Sequence, residues 1–216
     1  MDKPADLPST MQPDPTLLPL LQEQYHDYFV IEHRIHANIR PIQGEVPDAG
    51  QFQKMIPEPF LMAGELAALD RSALKPLAKL GEMAEELALY LRAQAQKIDI
   101  MMRYILVQQD DPEYRCFTHS YGGSALCYHS KVPLEPLQLI EVKLFLEQSD
   151  GAVYCLAQVI DCIAAAPEAD KEPFLIKATI CQIRDEDREL IVRASLHQQS
   201  RQLKRKAELR QASGNL

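Results

Sequence analysis

The sequence predicts an α+β fold, in which helices accompany a small antiparallel β-barrel or sandwich. Three observations support it: a heptad-spaced apolar series between residues 76 and 109, a two-residue apolar period over residues 114–183, and an acidic-to-basic helical stretch after residue 184. Hydrophobic residues make up 46% of the 216, enough for a buried core. The formal net charge of -8 argues against broad nucleic-acid binding, so we expect no nucleic-acid polymer as a partner.

Residues 1–24 are predicted to be a mobile N-terminal tail, because their first part is rich in proline and has no apolar period. That part also lacks the apolar core of a signal peptide, and no stretch of the chain is apolar over the roughly 20 residues of a membrane span. We therefore expect a cytoplasmic protein without a membrane span.

Residues 25–56 are predicted to be the first strand region of the sheet, and its alternate positions place one set of side chains on one face. That set is Phe29, Ile31, His33, Ile35, Ala37 and Ile39. Prolines and glycines over residues 43–59 predict a loop after the strand.

A helical oligomerisation insertion is predicted over residues 57–111, with a short helix near residues 60–70 and a long helix from Pro76 to Gln109. Ser72 is placed to cap the long helix. The long helix carries a series of positions spaced alternately three and four residues apart, a heptad seam. The seam positions are Leu77, Leu80, Ala84, Leu87, Leu91, Gln94, Ile98, Met101 and Ile105.

The seam predicts that the long helix packs against other helices. Eight of its nine positions are apolar, and the lone polar residue, Gln94, is expected to set the register. Residues beside the seam are also apolar, where a two-stranded coil carries Glu and Lys, so the apolar stripe is wide enough for more than one neighbour. We expect the chain to self-associate through this helix; the alternative is a long core helix within one molecule.

Residues 112–210 are predicted to hold the remaining strands and a final helix. Strands with alternating apolar residues are expected at 114–119, 124–129, 137–147, 152–163 and 174–183. A turn that ends at Gly151 is expected to have a positive φ at this glycine.

The final helix begins with acidic residues at 185–187 and ends in a basic run, an order that complements the helix macrodipole. Leu190, Ile191 and Ala194 are expected to face the sheet. The basic run either binds a partner or is a solvated helix end.

The chemistry-bearing side chains do not predict a catalytic or metal site. Cys116 and His119 would face opposite sides of a strand, so a zinc site with Cys127 and His129 is not expected. The five cysteines never show CxxC spacing and are expected to be reduced core thiols. Ser120 lacks the leading glycine of a nucleophile elbow, so we expect that the protein is not an enzyme and has no cofactor. The enzymatic alternative is a hydrolase that uses Ser120 or a Cys-His pair.

The order of the elements resembles the PilZ family of bacterial cyclic-di-GMP receptors. The first motif of that family is RxxxR and the second is [D/N]xSxxG. In this chain the first motif reads RxxxN, from Arg34 to Asn38, and the second reads TxSxxG, with Thr118, Ser120 and Gly123. The resemblance covers about residues 28–42 and 114–208. It implies a PilZ-like antiparallel β-barrel with a C-terminal helix, into which the long helical insertion is placed.

The departures from the motifs have chemical consequences. Asn38 lacks the charge of an arginine and its bidentate fork for phosphate or guanine, and Thr118 lacks the expected acceptor. Arg40 lies on the same strand face as Asn38 and is a further candidate for a ligand contact. The resemblance therefore implies cyclic-di-GMP as the candidate ligand, bound weakly or not at all.

The insertion between the motifs resembles an atypical tetrameric PilZ branch, whose members assemble through long heptad-bearing helices, so a homotetramer is favoured. The expected function is that of a non-catalytic regulatory or adaptor protein in cyclic-di-GMP-linked bacterial signalling, acting on an unidentified protein partner. The alternatives are a functional cyclic-di-GMP receptor with a modified site, a ligand-free structural scaffold and the hydrolase.

Overall fold

The computed structural model describes residues 16–66, 83–146, 151–164 and 172–213, and this part of the chain forms a β-barrel surrounded by helices. The helices are α1 (Leu17–Gln24), α2 (Ala49–Met55), α3 (residues 58–66), α4 (Met83–Val107) and α5 (Asp185–Ser213). The strands are β1 (Val30–Glu32), β2 (His36–Pro41), β3 (Arg115–Gly122), β4 (Ala125–Ser130), β5 (Leu139–Phe145), β6 (Ala152–Ala164) and β7 (Phe174–Ile183).

Six of the strands close a barrel in the order β3-β2-β5-β6-β7-β4, with β4 pairing back to β3. Every pairing is antiparallel, and β1 adds to the far end of β3 beyond β2. The predicted α+β fold with an antiparallel barrel and a C-terminal helix is confirmed. The strands from β3 to β7 lie within three residues of their predicted bounds, because their two-residue apolar period is a local signal.

The first strand region is two strands rather than one continuous strand, and the break lies at residues 33–35. Glu32 pairs with Ser120 and His36 with Phe117, so β1 and β2 follow successive parts of β3. A side chain bridges the gap between them: the hydroxyl of Thr118 accepts from the backbone N–H of Ile35 at 3.0 Å and lies 2.8 Å from the carbonyl oxygen of His33, to which it donates. These two bonds satisfy backbone groups that a regular ladder would have paired.

The main core fills the barrel. Ile140, Val142 and Leu144 of β5 point inward and are fully buried, as their alternation predicts. From α5, Leu190, Ile191 and Ala194 join the same cluster, which confirms the predicted inner face of this helix. The turn before β6 has Gly151 at a φ of +80°, as expected from its position.

A second core lies outside the barrel, where α2, α3 and the end of α4 cover β5 and β6. Phe52, Phe60 and Leu106 pack there against Tyr154 and Leu156. Because β6 is covered on both faces, nearly all of its residues up to 160 are buried.

Two helices lie where the sequence predicts none. The loop expected over residues 43–59 contains α2, whose N-terminus has a capping box formed by Asp48 and Gln51. The last eight residues of the predicted tail form α1, in which Leu21 is buried against Leu137 and Ile160. Both corrections have the same main cause: these short helices are stabilised by burial on the outside of the barrel. The spacing of Asp48 and Gln51 was the one local signal for α2.

Among the described residues, no helix is both long and apolar enough to cross a membrane. All five cysteines lie on strands and are free thiols.

Candidate functional site

The residues of the second motif face the segment that precedes β1. The hydroxyl of Ser120, buried in the barrel wall, is hydrogen-bonded to the hydroxyl of Tyr25, and burial raises the pKa of Tyr25 to about 12 although this hydrogen bond lowers it. The neighbouring Ser124 holds the same segment from both sides: its hydroxyl accepts from the N–H of Tyr28 at 3.3 Å and donates to the carbonyl of Tyr25 at 3.2 Å. Ser124 and the motif residue Ser120 therefore hold residues 25–28, here called the N-terminal strap.

Gly123 packs against the strap and α5 together. A Cβ built on this residue would lie 2.9 Å from the ring of Tyr28 and 2.9 Å from Val192. The guanidinium of Arg188 lies 5.5 Å from the centre of the Tyr28 ring and donates to the carbonyl of Gly123 at 2.5 Å. A glycine is needed here for close packing, because any Cβ would overlap the ring of Tyr28 and the side chain of Val192.

The two predicted motifs are therefore only partly brought together. The residues that face Ser120 and Gly123 are Tyr25 and Tyr28, whereas Arg34 lies in the break between β1 and β2 with its guanidinium carbon 4.2 Å from the centre of the Phe117 ring. The sequence reasoning missed the two tyrosines, because only the pairing of β1 with β3 shows which segment lies beside the second motif.

Asn38 is buried and holds the end of the insertion to the barrel. Its Nδ2 donates to Asp110 Oδ1 at 2.7 Å and to the carbonyl of Asp111 at 3.2 Å, and its Oδ1 accepts from the N–H of Asp111 at 2.6 Å. Asp110 also binds Arg115 at 2.5 Å and lies 3.1 Å from Nε2 of His36. We call these five residues the latch, since they join β2, β3 and the segment after α4.

Arg40 and Thr118 also have partners within the protein. Arg40 makes an ion pair of 2.8 Å with Glu141 across the β2–β5 pairing. Thr118 is buried in the backbone bridge between β1 and β2. Of the six residues predicted to bind a ligand, Arg34 and Thr118 line a common cleft of about 800 Å³ between β3 and β4.

No protein-family model matches the sequence, and no curated protein is significantly similar to it. Among solved structures, the fold is similar to a tetrameric PilZ domain of Xanthomonas campestris, described as self-assembled through a helical bundle. The TM-score is 0.51 at 15% sequence identity, and the match covers 88% of this chain and 98% of the other. The chain has a PilZ-type fold. The inhibitor of motility MotI/DgrA of Bacillus subtilis is also similar, with a TM-score of 0.43 and 8% identity over 82% of this chain and 52% of that one.

The long helix α4 leaves most of its described seam positions exposed within one molecule. Leu87, Leu91, Ile98, Met101 and Ile105 are all more than a third exposed. The helix instead contacts its own barrel through Met102 and Leu106, which are buried beside the seam. Leu77 and Leu80 lie outside the described residues, as do Ser72 and Pro76.

Nucleophilic chemistry has little support around the PilZ-type barrel. Burial raises the pKa of Cys116 to about 12 and that of Cys127 to about 11, which leaves both thiols protonated and unreactive near neutral pH. Ser120 is hydrogen-bonded to Tyr25, whose pKa burial raises further above neutral, to about 12. Within the described ranges, no group of three or more His, Cys, Asp or Glu side chains could hold a metal ion.

Proposed function

We propose that this chain is a non-catalytic PilZ-like regulatory or adaptor protein in cyclic-di-GMP-linked bacterial signalling. It assembles with copies of itself through α4, as a tetramer, and presents the barrels to a protein partner in the cytoplasm. Its own binding of cyclic-di-GMP is weak or absent.

The observation that carries this proposal is the exposed apolar surface of α4 on a PilZ-type barrel. Besides the seam, this helix exposes Leu89, Tyr90, Ile100, Tyr104 and Val107, each at least 59% accessible in the single chain. Soluble monomers rarely expose an apolar patch of this extent, since burial of each such side chain contributes about 1.5–3 kcal/mol. The assembly described for the Xanthomonas campestris protein, through a helical bundle, supports the same role for α4.

The weak binding of cyclic-di-GMP follows from how the motif residues are used. Asn38 and Thr118 are buried in hydrogen bonds within the fold, and Arg40 is paired with Glu141. The segment that faces Ser120 carries tyrosines, so charge-assisted contacts to phosphate are lost there. Each such contact is worth about 1.5–3 kcal/mol, or roughly ten- to over a hundredfold in affinity.

Light scattering of a double variant tests the assembly. Leu87→Glu with Leu91→Glu places charges in the seam and should convert the oligomer to monomers, because buried unpaired carboxylates oppose association. The matched control is Ala93→Glu with Gln96→Glu, two exposed residues away from the seam and outside the apolar surface, which should leave the oligomer intact. A wild-type protein that is monomeric at micromolar concentration contradicts the proposal.

Calorimetry with cyclic-di-GMP separates the adaptor from the receptor alternative. We expect little or no heat from the wild-type protein. Tight binding would favour a functional receptor with a modified site, and its loss in Arg34→Ala would assign the ligand to the cleft side of the barrel.

A further inference from the structure

The final helix, α5, extends well past the part that packs on the barrel. Its first turns bury Leu190, Ile191 and Ala194 in the main core, whereas every side chain from residue 203 to residue 210 is exposed. Helices in proteins are stabilised mainly by packing of one face. The outer part of α5 therefore presents a helix surface that a further partner would stabilise.

One stripe of α5 points away from the barrel. Successive residues of a helix are turned by about 100°, so the side opposite the buried residues can be read from the sequence. On that side lies an apolar series with a charged residue at either end: Glu189, Val192, Leu196, Leu203, Ala207 and Arg210. The two leucines are 48% and 60% exposed. We call these six residues the outer stripe.

The spacing of the outer stripe reads the same in both directions. Its steps are 3, 4, 7, 4 and 3 residues, and the midpoint lies between Gln199 and Ser200. A second α5 that lies antiparallel about a twofold axis at this midpoint therefore meets the stripe with its own stripe in register. The facing pairs are then Glu189 with Arg210, Val192 with Ala207, and Leu196 with Leu203.

The charges of α5 favour a second copy over other partners. The helix begins with the exposed acidic residues Asp185 and Glu186 and ends with the basic residues 204–206 and Arg210. An antiparallel copy sets each acidic end beside a basic end, whereas a parallel copy sets like charges together. An acidic protein segment or an anionic membrane would suit the basic end alone and would be repelled by the acidic one.

We propose that the outer stripe of α5 is a second self-association surface, through which two copies of the chain pair antiparallel. The paired length, residues 189–210, is about 32 Å at 1.5 Å per residue. A single helix pair buries less than the roughly 1,200–2,000 Å² of a stable interface, so it is weak between single chains. Chains already assembled through α4 pair more readily, because assembly raises their effective concentration.

Cross-linking at the midpoint tests the proposal. The full chain with Ser200→Cys, treated with a short bis-maleimide reagent at high micromolar concentration, should form cross-linked dimers, because the two substituted residues lie beside the twofold axis. Arg205→Cys is the matched control, an exposed residue on the opposite side of the same helix, and should give little cross-linking. The wild-type protein is the control for its own cysteines.

Charge reversal tests the register. In the Ser200→Cys protein, Glu189→Arg and Arg210→Glu should each lower the cross-linked yield about threefold or more, since each sets like charges against one another at both ends of the pair. The two changes together should restore the yield, because the facing charges are again opposite. Leu203→Glu should lower the yield about tenfold or more, since it places a carboxylate against Leu196. All these positions are exposed, and unchanged circular dichroism confirms that the variants fold.

Three results overturn the proposal: Ser200→Cys cross-linked no more than Arg205→Cys, single charge reversals that leave the yield unchanged, or a double reversal that yields as little as the single ones. The first result would leave the outer stripe to a different kind of partner. Light scattering of the wild-type protein reads the assembly through α4 separately. A monomeric wild-type protein whose Ser200→Cys variant still cross-links at high concentration would refute that assembly and support pairing through α5.

Discussion

At the scale of single residues, the sequence motif and the structure assign different roles to Asn38. In the motif, Asn38 stands where the family has a ligand-binding arginine. In the structure, Asn38 is buried at 4% exposure and is hydrogen-bonded to the segment after α4. Asn38→Ala should lower the free energy of unfolding by about 1–3 kcal/mol, because it leaves buried partners unsatisfied. Asn38→Arg should also destabilise, since the buried position has no room for a solvated guanidinium. Urea denaturation measures both.

Arg40→Ala is the control for this experiment, since it removes a half-exposed ion pair on the same strand and should cost no more than about 1 kcal/mol. If Asn38→Arg were as stable as the wild type and bound cyclic-di-GMP, the structural role of Asn38 would be refuted.

Asp110 makes the latch sensitive to acid. Burial raises the pKa of Asp110, but hydrogen bonds from Arg115 and Asn38, together with His36, outweigh it and hold this pKa below its ordinary value of 3.8. Because the pKa of Asp110 is lower in the folded than in the unfolded state, its ionised carboxylate stabilises the fold at pH values above the unfolded-state pKa. This stabilisation is lost as the pH falls through the folded-state pKa.

Asp110→Asn should therefore destabilise the protein at neutral pH, by about 1–3 kcal/mol, and the difference from the wild type should shrink below about pH 4. Denaturation curves across this range measure it. Asp111→Asn, a change at the neighbouring and exposed carboxylate, should show a much smaller effect at every pH. A deficit in Asp110→Asn that is constant with pH would show that the charge of Asp110 is irrelevant.

At the scale of elements, two adjacent glycines join different parts of the fold. A Cβ at Gly122 would collide with the backbone carbonyl of Phe29, whereas at Gly123 it would meet the side chains of Tyr28 and Val192. Both alanine variants should unfold at lower temperature, Gly122→Ala by more, because side chains give way more readily than a paired backbone. Gly50→Ala, in α2, is the control and should be neutral or stabilising by up to about 1 kcal/mol. Equal effects at Gly122 and Gly123 would contradict this reasoning.

The effect of Gln94 depends on how the α4 helices of associated chains align with one another. It is half-buried in the single chain, in a seam that is otherwise apolar. Gln94→Leu should raise the melting temperature and broaden the distribution of oligomers, since a lone polar residue in a seam costs stability and restricts register. Gln96→Leu, an exposed position off the seam, should change neither. A lower melting temperature for Gln94→Leu would place Gln94 outside the interface.

At the scale of the whole molecule, folding and assembly should be coupled. If burial of the α4 seam stabilises the folded chain, the melting temperature must rise with protein concentration, because association draws on the folded state alone. Calorimetric scans over a hundredfold range of concentration measure this, and Leu87→Glu with Leu91→Glu should abolish the dependence. A melting temperature independent of concentration in the wild type would mean that α4 adds no intermolecular stability.

Much of the barrel could be predicted from local pattern. The strands from β3 to β7 and the inner face of α5 follow from apolar periods of two and of three to four, because one face of each element is buried and the other is not. The PilZ-like fold followed from the order of these elements.

What only the tertiary structure decided is which surfaces meet. Leu21 and Phe52 lie on short helices that exist through burial against the barrel, so no period announced them. The register of β1 and β2 along β3 decides which side chains face each other: Tyr25 faces Ser120, and Arg34 faces Phe117. Register is a non-local property, set by pairings between residues about 80 to 90 positions apart. For that reason the sequence alone determined the strands and the long helices of this protein, but not its short helices or its site.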